Sequence, residues 1–190
     1  MAYLSKEVLD SLGFKALGAN VLISDKAAIY DAARIEIGDN SRIDDFCIIS
    51  GMVRIGAYCH VTPMCLLAGG QPGIEIGDFC TFAYGVKIFS QSDDYSGESM
   101  TNSLIPRRFK KEFFSAVTVE KHVIVGAGSA IMPGVVLREG TAVGAMSLVT
   151  RSTDAWGIYT GIPAKRRRDR SKNLLALADI FIKEQSDSIQ

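Results

Sequence analysis

An aliphatic residue at every sixth position constrains this chain more than any other feature. From Ile37 the count runs through Ile43, Ile49, Ile55, Val61 and Leu67, slips by three residues across "GGQPG", and resumes at Ile76, Phe82 and Ile88. Beyond an irregular stretch it runs again through Val119, Val125, Ile131, Leu137, Val143 and Val149, and Ile23 and Ile29 extend it backwards. A helix repeats near 3.6 residues and a strand near 2. Six is a multiple of two, so short strands joined by turns fit and helix does not. Small residues often follow the aliphatic one (Gly38, Gly56, Gly77, Gly126, Gly144). Four places after it comes another small or β-branched residue, as at Ser41, Val53, Val86, Val123, Ser129, Val135, Thr141 and Ser147. The pattern predicts an all-β chain: a parallel β-helix of hexapeptide repeats in which each aliphatic side chain stacks on those of the coils above and below.

The period assigns the cysteines. Cys47, Cys59, Cys65 and Cys80 all fall on the fourth-after position, where a small, soft, buried side chain fits, and no C-x-x-C occurs. They are expected in the core rather than on a metal or in a redox pair. "GAGSAIMPG", Gly126 to Gly134, lacks the third glycine of a dinucleotide loop, and the hexads continue where that motif's helix would start. Lys and Arg number 21, as do Asp and Glu, and 47% of the residues are apolar, a balance that points away from disorder and from nucleic acid. The opening "MAYLSKEVLD" does not read as a signal peptide, and no stretch has the length of a membrane span, so a cytoplasmic protein with reduced cysteines is expected.

At 190 residues the chain suits one core. The expected β-helix domain covers 1–170, with a cap over 1–20 and an excursion over about 89–117, and a helix with its tail occupies 171–190. In "LSKEVLDSLGF" Ser5 is a candidate N-cap, with Val8, Leu9 and Leu12 on one face. From Ser171 to Gln185, apolar residues at 174, 175, 177, 178, 181 and 182 predict an amphipathic helix.

The hexads stop at "IFSQSDDYSG", where Asp93 and Asp94 stand side by side. Asp-Asp-Tyr-Ser-Gly is good turn chemistry in its own right. The repeats, this excursion and "GIPAK" near the coil's end together resemble the hexapeptide-repeat acyltransferases, whose fold is a left-handed β-helix assembling as a trimer. Galactoside and maltose acetyltransferases align over roughly Ile35 to Arg168. Over nearly the whole chain, "SQSDDYSG" included, the sequence is similar to sugar acetyltransferases of bacterial surface-polysaccharide pathways such as O-antigen lipopolysaccharide biosynthesis. Within these it looks most like enzymes that N-acetylate dTDP-4-amino-4,6-dideoxyglucose.

The resemblance implies acetyl-CoA as co-substrate in a groove between adjacent subunits of a homotrimer, a nucleotide sugar as acceptor, and no metal. It places the cofactor contacts on Ala127, Ala145, Thr150, Arg151, Gly161, Pro163, Lys165 and Arg168. Small residues there would let backbone groups reach the pantetheine amides, and the basic run "KRRRDR" suits phosphates. The alternative for that run is a solvated face.

Aligned on Ile76-Gly77, the catalytic histidine of the galactoside and maltose enzymes falls on Asp93, and an asparagine they use near the acceptor falls on Thr62. An aspartate, with an ordinary pKa of about 3.9 against about 6.5 for histidine, is a weak base for a hydroxyl. For an amine, which is partly neutral near pH 7, it suffices, so Asp93 favours N-acetylation. His60, at the end of its hexad where side chains point outward at a corner, is a second candidate base. Asp94 and Tyr84 are candidates for the acceptor pocket, and His122 reads as a surface turn residue. O-acetylation of a sugar or glycan remains the alternative. A metal hydratase on the same coil would need three histidines per zinc, and the chain has two histidines in all. A non-catalytic coil would need neither the excursion nor the basic turn.

Overall fold

The computed structural model describes residues 2–187. Short parallel strands wind into seven coils with three faces. Face I stacks Ala28–Tyr30, residues 48–50 and 66–68, Lys87–Phe89, Ala130–Ile131 and Leu148–Val149. Face II stacks Ala16–Leu17, Ile35–Ile37, residues 53–55 and 74–76, Val117–Val119 and Val136–Leu137. Face III stacks Leu22–Ile23, Arg42–Ile43, His60–Val61, Thr81–Phe82, Ile124–Val125, Ala142–Val143 and Gly157–Thr160. The chain visits the faces in the order II, III, I, so it has three kinds of corner.

The hexad residues fill the interior. Ile23, Ile43, Ile49, Val61, Leu67, Phe82, Ile88, Val125, Ile131 and Leu137 are wholly buried, and Ile29 is half-buried against them. Each buried aliphatic or Phe contributes about 1.5–3 kcal/mol relative to exposure. The fourth-after residues are buried too, and Ser41 and Ser129 donate to the next coil. Ser41 Oγ reaches the carbonyl of Gly56 at 2.8 Å, and Ser129 Oγ that of Gly144 at 2.9 Å. The cysteines behave alike: Cys47 Sγ donates to Thr62 at 3.1 Å, Cys59 to Gly77 at 3.1 Å and Cys80 to Glu120 at 3.1 Å. All four are free thiols, and Cys47 and Cys80 are pushed well above the ordinary thiol range by their partner thiols Cys65 and Cys59 and by burial.

Glycine after the aliphatic has a steric cause. A Cβ on Gly38 would lie 2.7 Å from the Ala57 nitrogen, and one on Gly56 2.7 Å from the Gly77 carbonyl carbon, both in the next coil. The slip through "GGQPG" also has a spatial role. It lies at the I-to-II corner directly before the excursion, and at Gly70 (φ +49°) a Cβ would meet Gln91 Oε1 at 2.6 Å. The glycine clears room for the excursion's first residues.

The ends depart from expectation in detail. The helix α1 (Lys6–Ser11) is capped by Ser5, but only Leu9 is buried, while Val8 and Leu12 stay exposed because the helix rests on the first coil by one residue per turn. The basic run, read from sequence as a turn, is a strand, Lys165–Asp169, pairing antiparallel with Gly157–Thr160. It covers an edge that would otherwise present unpaired backbone groups. The helix α2 (Asn173–Asp187) follows, and residues 188–190 of the expected tail lie outside the described residues.

Candidate active site

The excursion is a hairpin with an ordered neck. Ser90, still buried, donates through Oγ to the Gly69 carbonyl at 2.5 Å, and Ser115 N donates to Ser90 O at 2.9 Å. Between them Gln91–Ser92 pairs antiparallel with Phe113–Phe114, Ser92 opposite Phe113. The limbs are tied again further out, where Met100 N donates to Phe109 O at 2.9 Å and Lys111 N to Ser99 Oγ at 3.1 Å.

The neighbouring aspartates have separate surroundings. Asp94 Oδ1 accepts from Ser96 N at 2.8 Å, and Oδ2 accepts from Ser99 N at 3.1 Å and Ser99 Oγ at 2.8 Å. These serine contacts, Ser96 foremost, hold its pKa down to about 2. Asp94 thus fastens the loop. Asp93 is exposed, and among the described residues its carboxylate has no hydrogen-bond or ion-pair partner. It lines a depression of about 380 Å³ with Ala68, Phe89, Gln91, Ser92, Tyr95, Glu112 and Met132. Tyr95, Glu112 and Gln91 were not singled out from sequence. The available signal was topological: an insertion that leaves a coil must return, so its descending limb flanks its ascending one.

The other candidates lie elsewhere. His60 sits on a face III strand rather than at a corner, its Nε2 2.9 Å from Asp44 Oδ2, and the buried Asp44 also takes Arg42 Nε at 2.6 Å. Neither His60 nor Tyr84 lines the Asp93 depression. Thr62 is buried and its hydroxyl donates to Phe82 O at 2.9 Å, so it serves the coil. His122 is no simple surface turn residue. It stacks on Phe79 (centroids 5.2 Å, planes 7° apart) and faces Trp156 at 6.5 Å, and burial lowers its pKa.

The residues expected at the cofactor fall mostly along one edge, the III-to-I corner. Met146 N donates to Ala127 O at 2.8 Å and Leu148 N to Gly161 O at 3.0 Å, which stacks Ala127, Ala145 and the Gly161-Pro163 turn in successive coils. Tyr84 stands at the same corner one coil earlier, its carbonyl accepting from Gly128 N at 2.8 Å. Thr150 and Arg151 follow the Leu148–Val149 strand towards face II. In the basic run, Arg166 pairs with Asp169 at 2.6 Å, Arg167 Nε bonds Thr160 Oγ1 at 2.8 Å, and Arg170, just past the strand, bonds the carbonyls of His122 at 2.7 Å and Gly140 at 3.0 Å. Lys165, Arg168 and Arg151 are exposed and carry no ion pair among the described residues.

No family model matches the chain. It is 41% identical over 184 residues, 95% of both chains, to the dTDP-4-amino-4,6-dideoxy-D-glucose acyltransferase of Escherichia coli. It is also similar to an aspartate-to-asparagine variant of AntD, an N-acyltransferase from Bacillus cereus, solved with dTDP and coenzyme A: 43% identity, TM-score 0.95, covering 97% of this chain and 100% of that one. AntD has also been solved with dTDP and 3-hydroxybutyryl-CoA (43% identity, TM-score 0.95, covering 97% of this chain and 98% of that one). A serine variant of AntD was solved with dTDP-4-amino-4,6-dideoxyglucose and coenzyme A (44% identity, TM-score 0.95, covering 96% of this chain and 98% of that one). The coil, its excursion and these likenesses establish that the chain belongs to the hexapeptide-repeat acyltransferases of left-handed β-helix fold, as a close relative of the dTDP-4-amino-4,6-dideoxyglucose N-acyltransferases.

Proposed function

We propose that this enzyme transfers an acyl group, acetyl in the first instance, from coenzyme A to the 4-amino group of dTDP-4-amino-4,6-dideoxyglucose, in the cytoplasm, for bacterial surface polysaccharide such as O-antigen. The observation that carries this reading is the unpartnered Asp93 carboxylate lining a depression beside the coil, in a chain that matches AntD over nearly its whole length.

In the proposed reaction the amine nitrogen bonds to the thioester carbonyl carbon, Asp93 takes the proton it releases, and the C–S bond breaks. That proton then leaves with the CoA thiol. Taking the α-amino group, with a pKa near 8, as a stand-in, a useful fraction of such an amine is neutral at pH 7, so a weak base in the right place is enough. Ala127, Ala145 and Gly161 would admit the pantetheine arm, and Lys165, Arg168 and Arg151 would face the phosphates. The sites lie between the subunits of a homotrimer. Support for this comes from the III-to-I edge, where Phe46, Met64, Met146 and Ile162 are more than half exposed. Face II, by contrast, is solvated by an ion-pair ladder: Lys15 to Glu36 at 2.6 Å and Arg54 to Glu75 at 2.9 Å.

The test is release of CoA from acetyl-CoA and 3-hydroxybutyryl-CoA against nucleotide-linked 3-amino and 4-amino sugars, with hydroxyl-only sugars as controls. Turnover of the 4-amino sugar alone is expected, and turnover of hydroxyl-only sugars would replace N- by O-acylation. Asp93→Asn should lower kcat by about 10²–10⁴-fold. A second choice of base is favoured by one observation, the His60–Asp44 pair at 2.9 Å, an arrangement able to orient an imidazole. If His60→Asn abolishes turnover while Asp93→Asn stays within a few-fold of the parent, His60 is the base.

A further inference from the structure

The Asp93 depression holds a second carboxylate, and its surroundings differ from those of the first. Extending the neck's register by one step, from Ser92 opposite Phe113, sets Glu112 across from Asp93. Like charges directly opposite on paired strands destabilise each other unless one is compensated. Here one is: Glu112 Oε1 lies 3.0 Å from Lys110 Nζ. The Lys110 side chain is 7% exposed and that of Glu112 21%. An ion pair so withdrawn from water gives up hydration that an apolar pair of similar volume would not have to give up, so stability alone is a poor reason for it. The second oxygen is the informative atom. Among the described residues Glu112 Oε2 has no partner, and no fully buried side-chain oxygen or nitrogen lacks one, so Oε2 keeps some exposure, on a residue that lines the depression.

We propose that Glu112 accepts a hydrogen bond from the sugar hydroxyl next to the reacting amine, and that Lys110 is its positioning residue. The inference rests on the amino-sugar reading above. A carboxylate held by a lysine through one oxygen remains a strong acceptor for a neutral O–H through the other. In a 4-amino-4,6-dideoxy sugar the carbons flanking the amine carry a hydroxyl at C3 and, beyond C5, a methyl. The lining offers a match for each: Glu112 for the hydroxyl, and Ala68, Phe89 and Met132 for the methyl. A site built to bond a hydroxyl discriminates against the analogue lacking it, because the buried polar group is then left unpaired.

The experiment compares the parent enzyme and Glu112→Gln on dTDP-4-amino-4,6-dideoxyglucose and on its 3-deoxy analogue, with melting followed in parallel. On the hydroxyl-bearing sugar, kcat/KM should fall about 10–100-fold, as for a lost charge-assisted hydrogen bond. The loss should appear mainly in the sugar KM, with the acyl-CoA KM unchanged. On the 3-deoxy sugar, parent and variant should agree within about threefold, since the bond is absent from both. Lys110→Met should repeat the pattern and Lys110→Arg restore most of it. An equal loss on both sugars, or no loss, overturns the role of Glu112 while leaving the acyltransferase reading intact. A parent enzyme that turns over neither amino sugar overturns the reading on which the inference rests.

Discussion

Two corners of the coil have the same backbone and opposite fates. At the II-to-III corner the third residue after the inward-facing one (Thr153 in the last coil, an aliphatic in the others) is left-handed: Asn20, Asn40, Tyr58, Phe79, His122, Gly140 and Trp156, with φ between 54° and 64°. At the III-to-I corner the equivalent residues include Phe46, Met64, Gly85, Gly128 and Met146, with φ between 55° and 68°. The first corner is finished by the chain itself. Tyr58, Phe79 and His122 stack at 5.1 and 5.2 Å, and Phe181 of α2 meets Tyr58 edge-on at 5.2 Å. The second is left bare, with Met64 64% and Met146 69% exposed. A left-handed corner pushes large side chains outward, and each row of them needs a cover. Where the chain supplies a helix the row is structural. Where it supplies nothing, the row stays exposed, and most of the expected cofactor contacts lie along that same edge.

The comparison breaks most sharply at the bare corner. Met64→Glu would set a charge in the apolar row, and the enzyme should then run as a monomer in light scattering. Turnover should drop by more than about 100-fold, because the site proposed between subunits would lose one wall and with it the positioning of the acyl group. A Met64→Glu enzyme that stays trimeric and active would show that the row faces only solvent.

Smaller is the effect of the unpaired cations near that edge. Lys165→Ala with Arg168→Ala should raise the acyl-CoA KM by about tenfold with kcat little changed, the pattern of contacts equal in ground and transition states. The loss should shrink when dephospho-CoA replaces CoA. An unchanged KM would return "KRRRDR" to a solvated face.

At the covered corner the effects should fall on stability and spare catalysis. Phe181→Ala should lower the unfolding free energy by about 1–2 kcal/mol, less than for a wholly buried phenylalanine because the ring is 37% exposed, and leave kcat intact. The smallest effect concerns pH. Burial lowers the His122 pKa below its ordinary value near 6.5. The unfolded chain therefore binds the proton more readily, and the contribution to stability is complete above about pH 6.5 and shrinks as the pH falls through it. His122→Phe, which keeps an aromatic ring in the stack, should flatten that part of the stability profile. A Tm that falls equally in both proteins between about pH 7 and pH 5 would assign the dependence to other groups.

The hexad residues made the coil legible because the period is local. A buried aliphatic every sixth residue has one geometric solution, and the same count placed the cysteines inside and dated the excursion to Ile88. The basic strand was read as a turn because pairing depends on an edge, and whether the last coil leaves one open is a property of the stack. His122 was placed on a surface turn for a related reason. Its neighbours Phe79 and Trp156 are 43 and 34 residues away and meet it only through the coil's rise.

The candidate site divides along the same line. Asp93 was a candidate from sequence because it stands five residues past Ile88, the last hexad aliphatic before the break, where the resemblance aligns the family's base. Its split from Asp94 could not be read that way. Two identical side chains in adjacent positions differ only by which serines the loop folds onto them, and that is decided by Ser96 and Ser99 in three dimensions. Glu112 and Lys110 are separated from Asp93 by nearly the whole excursion, and only the antiparallel neck brings the limbs together. The sequence by itself determined the coil, its interior and the point where it opens, since repeated burial acts over six residues at a time. Only the tertiary structure decided which carboxylates face the opening, because long-range pairing sets the partners of charged groups and local spacing does not.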